Sequence, residues 1–320
     1  MYFNPFSERM SSILIAGGSL HFSFLLDVNL IPRNAKNMQI PKLPYKNGYF
    51  SMVVHDGAIL LCGGTKKSHP KNGELRCLQL DQGTWLEHCT LNYGRIYASA
   101  VATSKATFIF GGITNSTTYE YLPKGSTTWE LGTTEIPKHF KKGFAVEINT
   151  DQEIWLIGGE DTGHRILSFN INDHTFHELP MNLKESRLGH QCAFIPGTNK
   201  LIITGGFDHK RTYRKRNRQV EPFIDSTEII DINDGSISHT MSNPMNFARY
   251  AHGIGVITMD DEDKLAVFGG AGIPGVLKME VFNTQTQTWE VPDKQDCIGS
   301  GFSYLSVKNG AILSKLRSNF

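Results

Sequence analysis

The chain of 320 residues is 39% hydrophobic and 20% charged, with 31 Gly and 13 Pro, a composition that reads as soluble and globular. Its 32 Lys and Arg against 31 Asp and Glu leave a net charge of +1, which excludes a global pull towards nucleic acid or acidic membrane and makes any basic surface local. The five cysteines (Cys62, Cys77, Cys89, Cys192, Cys297) are scattered, odd in number and without a CxxC pair, which argues against a disulfide framework or a common zinc spacing and for small core residues in a reducing compartment.

Arg9 and the apolar run 13–26 have the outline of a signal peptide, but the run falls short of the ~20 residues that span a bilayer. It fits better as the first of six similar units. A short apolar run ending in Gly-Gly recurs as ILIAGG (13–18), AILLCGG (58–64), TFIFGG (107–112), EIWLIGG (153–159), KLIITGG (200–206) and KLAVFGG (264–270). The pairs are Gly17-Gly18, Gly63-Gly64, Gly111-Gly112, Gly158-Gly159, Gly205-Gly206 and Gly269-Gly270. The first glycines are spaced by 46, 48, 47, 47 and 64 residues, which means one repeat with a single large insertion. Trp85, Trp129, Phe176 and Trp289 follow the second glycine by 21, 17, 17 and 19 residues; Ile237 and Met38 take that place in the fifth and first units. Each unit supplies short runs rich in Val, Ile, Phe, Tyr and Leu between turn residues, with no sustained helical period, so the elements are strands.

These units resemble the kelch repeat, whose upstream part also stands in RLGHQCAFI (187–195) and RYAHGIGVI (249–257), with Arg95 matching its first residue. The resemblance implies an all-β, six-bladed propeller with four antiparallel strands per blade, in which stacking round a ring buries what a single sheet cannot. The expected blades are 11–43 plus 301–316, 48–89, 94–136, 141–180, 187–241 and 249–291. GFSYLSVKNGAIL (301–313) resembles GYFSMVVHDGAIL (48–60), so a strand near Phe302–Val307 is expected to complete the first blade; 311–316 has no assigned place. The paired glycines suit strand ends where neighbouring backbones approach closely, and the aromatics suit the space between blades.

Catalytic chemistry is sparse in the sequence. Nothing matches the copper-oxidase ligand set of this architecture. The E-x-x-x-D-x-x-x-H run of iron-dependent propellers is begun at Glu147 and Asp151 and broken by Trp155, and begun at Glu221 and Asp225 and broken by Ile229. His174 and His177, three apart on a predicted strand, would point to opposite faces. His190 and His252 are expected to pack near the channel and bond to backbone. No metal and no organic cofactor are expected, and no enzyme.

The expected work is protein binding on the face built by two loop classes. One covers 65–74, 113–118, 160–165, 207–223 and 271–276; the other covers 88–94, 133–141, 180–187, 242–249 and 292–299. Arg95, Arg187 and Arg249 have two readings. As in related ligase adaptors they could grip an acidic peptide, with Tyr250 beside them, or they could be struts paired with carboxylates of neighbouring blades. The insertion HKRTYRKRNRQVEP (209–222) carries Arg211, Tyr213, Arg214 and Arg216 and could dock an acidic partner, lie solvated, or make a nuclear-localisation-like or nucleic-acid contact. Relatives with BTB and BACK domains serve ubiquitin ligases; the 320 residues are expected to leave no room for those domains, so a ligase-adaptor role is conceivable through a partner or a longer parent protein. A sugar-processing or metal-dependent propeller enzyme and an actin-binding protein are the alternatives. The expected protein is a monomer, cytoplasmic or nuclear, without membrane or nucleic-acid partners.

Overall fold

The computed structural model describes residues 41–66, 72–81, 83–149, 151–208, 222–233, 236–259, 262–272 and 278–292. At the chain ends it describes Ser11–Ala16, Ser19–Leu20, Ser23–Phe24, Val28–Ile31 and Ser303–Lys308 as strands.

Each repeat unit from 51 onward folds as a four-stranded antiparallel meander, and together these blades make an all-β propeller. The first blade holds Ser51–His55, Ala58–Cys62, Arg76–Asp81 and Thr84–Thr90. The next holds Ser99–Ala102, Ala106–Phe110, Tyr119–Pro123 and Glu130–Leu131, and it is followed by Phe144–Asn149, Glu153–Gly159, Gly163–Asn170 and Phe176–Asn182. Then come Gln191–Phe194, Lys200–Thr204, Thr227–Asn233 and Ser236–Ser242, and last Gly253–Met259, Glu262–Phe268, Glu280–Asn283 and Thr288–Glu290. A further three-stranded sheet joins the chain ends: Ser11–Ala16 pairs antiparallel with Val28–Ile31 on one side and with Ser303–Lys308 on the other. Ser303–Lys308 also packs against Ser51–His55 and Gly253–Met259.

Local chemistry explains the hairpins. Asp56 and Gly57 both take positive φ between the paired His55 and Ala58, the two-residue turn that matches strand twist. The second strands are the apolar centre of each blade: Ile59–Leu61, Phe108–Phe110, Ile154–Ile157, Leu201–Ile203 and Leu265–Phe268 are buried. The core lies between blades. Trp129 packs with Leu60, Cys62 and Cys77 of the preceding blade, Phe176 with Phe108, Phe110 and Tyr119, and Trp289 with Ile202 and Ile229.

Three expectations are corrected here. Ile237 does not fill an interblade gap; it is 49% exposed. The space between the 144–182 and 191–242 blades is filled instead by Trp155, packed with Leu201, Ile203 and Ile230, so no aromatic is needed at 237. His174 lies in a turn with φ 60°, not on a strand; its Nδ1 lies 3.1 Å from the Tyr119 hydroxyl and its carbonyl accepts from Thr134 Oγ1, which ties two blades together. Cys62 and Cys77, expected to be separate thiols, are joined in a disulfide, because strand register sets them opposite one another, 4.1 Å apart at Cα. Gly17, Gly18, Met38, Glu221, Cys297 and 311–316 lie outside the described residues.

Candidate functional site

The first strands of the blades surround a channel of about 730 Å³. Its wall is mostly apolar, with Met52, Val54, Ala100, Phe144, Phe194 and Ile254 among its residues. One end lies on the face that carries the Gly-Gly pairs and the loops between blades, and here the backbone forms a belt. Tyr49, Tyr97, Lys142, Gly189 and Ala251, one from each four-stranded blade, all have φ between 49° and 61°. The left-handed turn points their peptide groups around the ring: Tyr97 N–H donates to Tyr49 O, Gly189 N–H to Lys142 O, and Ala251 N–H to Gly189 O. Glycine meets that backbone demand at no steric cost, as at 189; any other residue is disfavoured by about 1–2 kcal/mol. The chain nevertheless places two tyrosines and a lysine there.

These side chains converge at the mouth. Tyr49 and Tyr97 stack at 4.1 Å, and the Lys142 ammonium lies 5.6 Å from the Tyr97 ring and 3.7 Å from Glu160. Tyr250 lies across Gly189, where an added Cβ would stand 2.8 Å from its ring. Burial, then the neighbouring Tyr250 and Tyr49, push the Tyr97 hydroxyl well above its ordinary range. Phe207 and Phe223 flank Tyr250 at 5.9 and 6.0 Å. Among the described lining residues Lys142 is the one charged side chain, and none is Asp or Glu.

Beneath the mouth lie the three arginines. Arg95, Arg187 and Arg249 are 1%, 0% and 0% exposed. Each Nη1 donates to the first glycine's carbonyl of its own blade: Arg95 to Gly111 at 2.8 Å, Arg187 to Gly205 at 2.7 Å, Arg249 to Gly269 at 3.0 Å. Each guanidinium pairs with a fully buried carboxylate: Glu120 at 2.9 Å, Glu228 at 2.5 Å and Glu280 at 2.6 Å. The carboxylates also accept from the incoming loop, through Asn92, Lys184 and Asn246 N–H. The arginine carbonyls accept from the second glycine of the preceding blade. These arginines are therefore internal struts, and the ligand-gripping reading is corrected: the side chains are buried and their terminal Nη donors are engaged inside. The strut reading is refined too, since each carboxylate comes from the arginine's own blade. In the 144–182 blade the same places hold Phe140 and Leu167, packed together in the core.

The two motif histidines flank these struts. Burial and then the Arg187 charge push the His190 ring down to about 3, and burial, Arg249 and His190 push His252 down likewise. His252 Nε2 lies 2.8 Å from Thr204 Oγ1. Glu147 accepts from Asp151 N–H within a turn. Among the described residues no three His, Cys, Asp or Glu are grouped closely enough to hold a metal ion. No helix is long and apolar enough to cross a membrane among those residues. Tyr250 stands at the mouth; Arg211, Tyr213, Arg214 and Arg216 lie outside the described residues. Sequence reading missed Tyr49, Tyr97 and Lys142. The signal was the glycine in RLG (187–189), whose counterparts two places after Arg95 and Arg249 are Tyr97 and Ala251.

No protein-family model matches the chain, and no curated protein matches it. Among solved structures, that of YjhT, a β-propeller, is similar with a TM-score of 0.63 and 12% identity, covering 91% of this chain and 99% of that one. A likeness at that identity establishes the fold: the chain is a β-propeller.

Proposed function

We propose that the chain is a non-catalytic, kelch-type propeller that holds an acidic segment of another protein at the tyrosine-rimmed mouth of its channel. The observation that carries this reading is the charge of the wall: Lys142 is the sole charged group among the described lining residues, with no Asp or Glu facing in. Such a wall favours an anionic guest and disfavours a cationic one. Tyr49, Tyr97 and Tyr250 supply the rigid aromatic anchors on which binding energy concentrates. Catalysis finds little support. A ring titrating near 3, as His190 does, is a weak base at neutral pH, and a pair of carboxylates for glycoside hydrolysis is missing among the described lining residues.

Within the same proposal the ring has six blades, the three-stranded sheet being the blade shared by the chain ends. Its support is the packing of Ser303–Lys308 between the innermost strands of the first and last four-stranded blades. The basic segment 209–222 would steer an acidic partner, an attraction that salt screens over ~8–10 Å.

Random peptides displayed on phage and selected on the full chain test the reading. Enrichment in Asp and Glu is expected, and it should vanish on the Lys142→Glu protein. Selection without acidic bias, or with a bias that survives both Lys142→Glu and Tyr97→Ala, overturns it.

A further inference from the structure

Away from the channel, three sulfurs stand in one row across successive strands of the 51–90 blade. Register sets Cys62 opposite Cys77 and Cys77 opposite Cys89. All three face the next blade, in one cluster with Ile109, Leu122 and Trp129. Cys62 and Cys77 are bridged, and Cys89 carries a free thiol. Directly opposed residues of an antiparallel pair stand about 4.5–5.5 Å apart at Cα, within reach of a disulfide. Cys77 thus has a partner on each side. The row has a gradient of access: Cys62 and Cys77 are buried and Cys89 is half-buried. Trp129 Nε1–H donates to Cys89 Sγ at 3.2 Å, and such a donor favours the sulfur's anion. Burial acts the other way and pushes the Cys89 thiol up, so exchange should quicken as pH rises.

We infer that Cys62, Cys77 and Cys89 form a thiol–disulfide exchange site, with Cys89 as the outer station of a bridge that migrates along the row. Cys89 gives its proton to solvent, and its thiolate attacks Cys77 Sγ. The Cys77–Cys89 bond forms as the Cys62–Cys77 bond breaks, and Cys62 leaves as a thiolate that takes a proton from solvent. One disulfide and one thiol stand on each side, so no oxidant or reductant is consumed. A small external thiol or disulfide then meets the row at Cys89, not at the buried pair.

Non-reducing peptide mapping of the acid-quenched wild-type chain, held at about pH 7, below the ordinary thiol pKa, and at about pH 8.5, close to it, tests this. Both bridges are expected within about tenfold of one another, a difference of about 1.4 kcal/mol, and approached faster at the higher pH. The Cys62→Ser chain treated with glutathione disulfide should close Cys77–Cys89. The inference fails if Cys62–Cys77 is the sole bridge of the wild type at both pH values. It fails equally if the folded Cys62→Ser chain keeps glutathione on Cys89 without closing. Should Cys62→Ser not fold, the wild-type map decides alone.

Discussion

At the scale of single residues, Arg95, Arg187 and Arg249 each join two hydrogen-bond systems: the side chain ties glycine turn, carboxylate and incoming loop within a blade, and the carbonyl ties that blade to the one before. Removing one charge strands the other in the interior, which costs about 3–5 kcal/mol, whereas replacing both by apolar groups is often near neutral. The 144–182 blade already makes that replacement with Phe140 and Leu167. Arg249→Ala should therefore lower the denaturant midpoint sharply, and Arg249→Met with Glu280→Leu should recover part of the loss; a double variant worse than the single would refute the strut account. The buried histidines set the acid limit. With His190 near 3 against a free value of 6.5, the unfolded chain takes up the proton first as pH falls. Stability present above the free value is then lost on the way down to the folded one, by about 1.4 kcal/mol per pH unit and ring. His252 adds to the loss in the same direction. Glu228, held near 2 against 4.5, extends it at lower pH: burial alone would raise it, but His239, Arg187 and Lys184 N–H outweigh that. Melting temperatures measured downward from pH ~7 should fall, and His190→Gln with His252→Gln should flatten the fall above pH ~5.

At the scale of elements, the glycine pairs let one blade approach the next. A Cβ at Gly205 would meet the Arg249 carbonyl at 2.4 Å, whereas Gly197, also at positive φ, has open space. Gly197→Ala should cost about 1–2 kcal/mol for its backbone alone and Gly205→Ala clearly more; equal losses in a denaturant series would deny the interblade contact. The pairs were legible because this backbone demand admits one residue type at a fixed interval. Trp129, Phe176 and Trp289 were legible as interblade fillers for the same reason, repetition at an offset. Ile237 misled because Trp155 fills that gap from the preceding blade, a substitution between strands that offset counting cannot detect. Cys62 and Cys77 were hidden because a separation of 15 residues says nothing of register. Tyr97 and Lys142 escaped notice because the belt admits several residue types, so no repeated letter marks it.

At the scale of the whole molecule, the chain ends meet in one sheet, and Ser303–Lys308 stands between the first and last four-stranded blades. Deleting 301–320 removes that strand and leaves Ser11–Ala16 with an open edge. The truncated chain should lose its cooperative melting transition or associate through the edge; unchanged melting would contradict closure there. The mouth is the other property of the whole ring, since Tyr49, Tyr97, Lys142 and Tyr250 come from four blades and meet only when the ring is formed. The most direct test of the binding account is the dissociation constant of one acidic peptide from the display selection, measured against Lys142→Glu and against Lys124→Glu. Lys124 lies in a turn between third and fourth strands, at the other end of the blade, where it pairs with Asp56. We predict at least about a tenfold loss of affinity for Lys142→Glu, or ~1.4 kcal/mol, and none for Lys124→Glu. Equal affinities for all three proteins would place the peptide elsewhere and contradict the account.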